Sequence, residues 1–124
     1  ERKALTSFYQ KEKLLERFWV DGTVRTPYHR NMKEVDQHHA LNYLVQSTAA
    51  ELCLKQALKI DHLLRTQSEG SFVAFLIHDS IIIDIKKEDA SLLRTMEGLM
   101  QSTNFGKFVV NRKKGTTLGA LSAF

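Results

Sequence analysis

The apolar positions change period along the chain, and each change marks an element. From Arg2 to Trp19, Leu5, Phe8, Leu15 and Trp19 recur near a helical period with Lys and Glu between them. That pattern predicts an amphipathic helix ended by Asp21-Gly22. Thr23-Val24-Arg25-Thr26-Pro27-Tyr28 is β-branched and closed by the only proline, as in an edge strand or extended turn. His29 to Asp36 reads as a polar connection. Asp36 can cap the next helix. In that helix Leu41, Leu44, Val45, Thr48, Leu52, Ala57, Ile60 and Leu64 keep helical spacing as far as Arg65. Phe72 to Ile77 and Ile81 to Ile85 flank His78-Asp79-Ser80, which predicts a β-hairpin. Alternation puts Ile81, Ile83 and Ile85 on one face, and Ile82 and Asp84 on the other. A further helix starts near Lys87 with Leu92, Leu93, Met96, Leu99 and Met100 on one side. Phe105-Gly106 breaks it, and Lys107 to Arg112 reads as a strand. The tail from Lys113 is rich in Gly, Thr and Ser and reads as loosely ordered, with Leu121 and Phe124 able to dock. The element order predicts an α+β fold: an antiparallel sheet, made of a hairpin plus a further strand, packed on a long helix and flanking helices.

Composition narrows this picture. A chain of 124 residues is one domain's worth, enough to bury a core without disulfide or metal staples. With 43% hydrophobic and 26% charged residues it is not a disordered chain, and no apolar run is long enough to span a bilayer. No secretory signal is visible. Cys53 is the only cysteine, so an internal disulfide is excluded, which fits a reducing compartment and a cytoplasmic location. The net charge of +4 is compatible with nucleic acid but does not argue for it alone. The chain starts at Glu1 without Met, inside a helical pattern, which suggests a piece of something longer; a processed or engineered terminus is the alternative.

Two places could carry chemistry. Asp79 lies between two apolar strands, where a carboxylate is rigidly held yet reaches solvent, a setting that suits a hard divalent cation. His78 adds a ring donor and Ser80 a hydroxyl. Taken alone, such an Asp is an ordinary turn former. The second place is the stripe His38, Asn42, Gln46, spaced four residues apart on one side of the long helix and continued by Ala49, Ala50, Cys53 and Ala57. Amide side chains both donate and accept, so they can test base-pair geometry in a minor groove, where every pair presents acceptors. Taken alone, the stripe reads as a solvated face or a packed seam. No zinc spacing, nucleophile elbow or phosphate loop is present among the motifs. Cys53, inside a helix beside apolar neighbours, reads as a buried structural thiol.

Taken together, these residues resemble a known family. Ala40-Leu41-Asn42-Tyr43-Leu44-Val45-Gln46-Ser47-Thr48-Ala49-Ala50-Glu51 resembles the helix after the fingers in family A DNA polymerases, the DNA polymerase I family, where an Asn and a Gln precede a small-residue run ending in an acid. Phe75-Leu76-Ile77-His78-Asp79-Ser80 resembles the family's third palm motif, apolar-His-Asp-Glu. Gly22-Thr23-Val24-Arg25-Thr26-Pro27-Tyr28-His29-Arg30 is similar to its Gly-aromatic-Val-x-Thr-x-x-Gly-Arg segment. Lys87-Glu88-Asp89 leading to Met96-Glu97, then Phe108-Val109-Val110 and Gly115, is similar to the end of the fold. The likeness spans nearly the whole chain in the family's order and is closer to phage-type replicases than to cellular repair enzymes.

The resemblance implies a C-terminal palm portion of a DNA-directed DNA polymerase, 1–124 forming one domain. Asp79 would bind the catalytic Mg²⁺ and His78 would lie near the primer terminus. Asn42 and Gln46 would contact the minor groove at the nascent pair, His38 the primer-template, and Arg30 would be a DNA-side or structural residue. The implied partners are primer-template DNA, dNTP and the remainder of the polymerase chain, in host cytoplasm if phage-encoded. Two departures stand out: Ser80 replaces the usual Glu and His29 the usual Gly. Nothing matches the family's Asp-x-Ser-x-x-Glu segment, its fingers helix or its thumb. The isolated chain is therefore expected to be inactive, and its uncovered apolar faces are expected to drive homodimerisation. The alternative from another class is a small basic α+β module that binds nucleic acid or protein without catalysis.

Overall fold

Asp21 and Gly22 both adopt left-handed backbone, with φ of 50° and 72°. That is the geometry of a two-residue hairpin turn. In the computed structural model, which describes residues 10–124, they join β1 (Trp19–Val20) to β2 (Thr23–Arg25), with Val20 opposite Thr23. Asp-Gly is thus a turn between strands rather than a helix stop. The preceding helix, α1 (Lys11–Phe18), ends one residue earlier than the spacing predicts. Leu5 and Phe8 lie outside the described residues.

The chain divides into two compact units, the first reaching Leu52 and the second running Cys53–Phe124. The boundary falls inside the long helix α2 (Gln37–Gln67).

In the first unit β2 is the central strand of a three-stranded antiparallel sheet, not an edge. The supposed polar connection contributes the third strand, β3 (Asn31–Met32), with Met32 opposite Val24. Pro27 comes after β2, so it costs the ladder no donor. Val24, Val35, Ala40 and Leu44 form the buried core, with Leu15, Phe18, Trp19 and Met32 packed against it. Trp19 Nε1 donates to the Val35 carbonyl at 2.8 Å, so the half-buried indole leaves no orphan donor. Asp36 caps α2 as expected: its carboxylate accepts from the His39 amide at 3.0 Å and from the His39 ring at 2.8 Å. The ring hydrogen bond, then the amide, holds the Asp36 carboxyl below its ordinary pKa.

In the second unit β4 (Phe72–Ile77) pairs antiparallel with β5 (Ser80–Asp84), with a bulge between Val73 and Phe75. A 3-10 turn (Lys87–Leu92) leads into α3 (Leu93–Gln101). Ile60, Leu64 and Met96 are buried, and Ile81, Ile83, Ile85, Leu92, Leu93, Leu99 and Met100 pack on them, as the two periodicities predict. The helix-to-hairpin turn is tied by Asp89, which accepts from the Ser68 and Ser71 hydroxyls, both at 2.5 Å. Those hydrogen bonds hold its carboxyl low.

The expected strand Lys107 to Arg112 is not formed. Instead β6 (Ser102–Thr103) pairs with β7 (Gly106–Lys107) around a tight turn. Gly106 there has φ 112°, which only glycine adopts readily. The apolar run Val109-Val110 has no ladder partner in the structure, and strand propensity alone does not make a strand. The tail is more ordered than its composition suggests. β8 (Lys113–Lys114) pairs with β9 (Ser122–Ala123), and Phe124 lies under Arg112 and Lys114.

Candidate functional site

The best-defined cluster of motif residues lies in the first unit. After β2 the chain turns back through Pro27, Tyr28 and His29. The His29 amide donates to the Thr26 carbonyl at 2.8 Å, and the Thr26 amide to the Arg30 carbonyl at 2.9 Å. His29 has φ 67°, so the residue that departs from the family's Gly adopts the left-handed backbone that favours glycine. Its ring accepts a 3.3 Å hydrogen bond from Arg25. Thr26 is buried, and its hydroxyl accepts from the Arg30 amide at 3.2 Å while donating to Glu51 Oε2 at 2.8 Å. The two segments that carry the resemblance in this unit are therefore joined by one side-chain hydrogen bond, from the Thr of one to the terminal acid of the other.

Removing that hydroxyl is expected to cost about 1–3 kcal/mol, because the change at the buried Thr26 leaves the half-buried Glu51 without its donor and the Arg30 amide without its acceptor. Urea unfolding of Thr26→Val measures the loss. Thr26→Ser, which restores the hydroxyl, should recover most of it.

His38, Asn42 and Gln46 are all exposed on α2. The buried positions of this part of the helix are Ala40 and Leu44, so the polar stripe is left to solvent. Arg30 is also exposed, and its backbone is held by Thr26. After the midpoint of the helix the buried set becomes Cys53, Gln56, Ala57, Ile60 and Leu64. Stepping from His38 by threes and fours leads through Asn42, Gln46 and Ala49 to Cys53, Ala57, Ile60 and Leu64. One line of positions is thus polar and exposed at its start, and apolar and buried at its end. Val45, which the spacing assigned to the core, is 56% exposed.

In the second unit Ile77 pairs with Ser80, leaving only His78 and Asp79 in the turn. His78 has φ 52°, and both residues are exposed. Asp79 lies close enough to Cys53 to act on it: burial first, and then the Asp79 charge, raise the thiol above its ordinary pKa. Cys53 is buried, in line with a structural thiol. Among the described residues no group of three or more His, Cys, Asp and Glu comes together that could hold a metal ion. Asp79 is one hard oxygen donor and does not by itself make a Mg²⁺ site, which takes near-octahedral oxygen ligation.

Sequence reasoning did not single out Gln56. It is 2% exposed, and its amide donates to the Leu99 carbonyl at 2.7 Å and the Ser102 carbonyl at 2.5 Å. A Gln between Cys53 and Ala57 on the apolar side was the available signal. No family model, curated protein or solved structure matches the chain.

Proposed function

We propose that this chain is the C-terminal palm portion of a family A DNA polymerase and forms one wall of its active site. The observation that carries the reading is the Thr26–Glu51 hydrogen bond, together with the left-handed backbone at His29. Two segments matched separately in sequence meet through their characteristic residues. The position where the family has Gly takes a backbone suited to Gly.

In this reading Asn42 and Gln46 test the minor groove, His38 and Arg30 lie toward the primer-template, and His78 flanks the primer terminus. Asp79 supplies one carboxylate to Mg²⁺, and the other protein ligands come from the remainder of the chain. Polymerases of this kind attack the α-phosphorus of a dNTP with the primer 3′-oxygen, which gives up its proton, and release pyrophosphate as the α–β bond breaks; two metal ions would activate the attacking oxygen and neutralise the leaving group. Phe72, Phe75 and Ile77 on the hairpin are exposed large apolar side chains, suited to cover by the missing palm or, in the isolated chain, by a second copy. Among the described residues no helix is long and apolar enough to cross a membrane.

The reading is tested by duplex binding. The chain should bind a short primer-template, and a minor-groove ligand should displace it. Asn42→Ala and Gln46→Ala should each weaken binding by about twofold to tenfold, the worth of one hydrogen bond. Duplex binding indifferent to both substitutions and to the groove ligand would reject the assignment. It would leave the non-catalytic basic module, which the uneven distribution of charge favours: no acid follows Glu97.

A further inference from the structure

The unbalanced charge of this chain sits at one end. Of its 18 Lys and Arg, four (Lys107, Arg112, Lys113 and Lys114) follow Glu97, and no Asp or Glu does; the other 14 face 14 acids. The formal +4 is therefore the charge of residues 98–124 and not of the chain at large. Such asymmetry points to a polyanion.

The geometry sorts these cations. Arg112 is engaged: it pairs with Glu97 at 3.1 Å, and its guanidinium lies 4.9 Å from the centre of the Phe124 ring. Lys114 Nζ lies 5.2 Å from the same ring, which orients the ammonium without neutralising it. Lys107 and Lys113 are exposed. Both ends of the segment are anchored: the Phe108 amide donates to the Gln101 carbonyl at 3.0 Å, and β8 pairs with β9. Between them Phe108 is 51% exposed.

We propose that residues 107–114 form a binding surface for a single-stranded polynucleotide. Lys107, Lys113 and Lys114 take phosphates, and Phe108 offers a face on which a base stacks. Lys107 and Lys113 are six residues apart, at most about 20 Å of chain, so one short strand can reach both. A basic track with an exposed aromatic is the way single strands are held without sequence preference. An anionic membrane fits less well. Interfacial binding uses an amphipathic helix with an apolar face, whereas this segment connects two short hairpins and contains no helix.

The test is fluorescence anisotropy of a labelled oligothymidylate with the whole chain. Substituting Lys107→Gln, Lys113→Gln and Lys114→Gln together should weaken binding at least about tenfold at low salt. It should also flatten the dependence of log K on log salt by about 2, the loss of three phosphate contacts. The charge-matched set Lys13→Gln, Lys33→Gln and Lys59→Gln should leave both unchanged. Phe108→Ala should weaken binding about fivefold or more with the salt slope intact. Equal losses in the two triple variants would overturn the proposal, as would no binding, or binding only to phosphatidylserine vesicles. Oligothymidylate has no minor groove, so this surface and the Asn42–Gln46 face succeed or fail separately.

Discussion

Asp79→Asn, placed in a full-length polymerase chain that contains this segment, is expected to lower template-directed incorporation by at least about 10²–10³-fold, the scale set by removing one preorganised charge-stabilising group. The substitution keeps the side chain's shape and its fitness for a turn. It removes the charge that a hard cation selects. The residue is exposed at a hairpin tip, so folding should change by no more than about 0.5 kcal/mol. Primer-template affinity, measured without dNTP, should hold. Primer extension that survives the substitution would remove Asp79 from the chemistry and the polymerase reading with it. The isolated 124-residue chain should show no incorporation with either residue.

Gln56→Ala is expected to destabilise the second unit by about 2–4 kcal/mol. Two effects add. The Leu99 and Ser102 carbonyls lose the donor that the buried Gln56 amide supplies, at about 1–3 kcal/mol for groups left unsatisfied beside it. The shortened side chain also leaves a cavity whose cost depends on how far the neighbours collapse. Gln56→Met separates the two, because it fills most of the volume and removes only the hydrogen bonds. Urea titration of both variants gives the difference. A loss below about 0.5 kcal/mol in Gln56→Ala would mean that water replaces the amide and that the clamp is not structural.

The contrast between Gln46 and Gln56 shows how far the sequence could be read. Both are amides on one helix. Only Gln46 stands in a segment that resembles a family motif, and it is exposed; Gln56 stands in none, and it is buried. The spacing that revealed α2 could not say which side was covered, because the buried positions change from Ala40 and Leu44 to Cys53, Ala57, Ile60 and Leu64 along its length. The hairpin was legible because its period of two is local: Ile81, Ile83 and Ile85 face the core as alternation requires. The turn at Asp21-Gly22 was misread because a helix end and a hairpin turn both use Gly, and only the strands on either side distinguish them.

The sequence alone determined the long helix, the β4–β5 hairpin and the helix that follows it, since periodicity and turn chemistry act between near neighbours. It placed Asp79 in a hairpin turn and His38, Asn42 and Gln46 on one line of the helix. The tertiary structure decided the partners. Thr26 finds Glu51 at a separation of 25 residues, Gln56 finds Leu99 at 43, and Val24 finds a strand on each side. Such contacts carry no local period. They form because a buried hydroxyl, amide or strand edge must find a partner somewhere along the chain, and the sequence does not say where until the chain has folded.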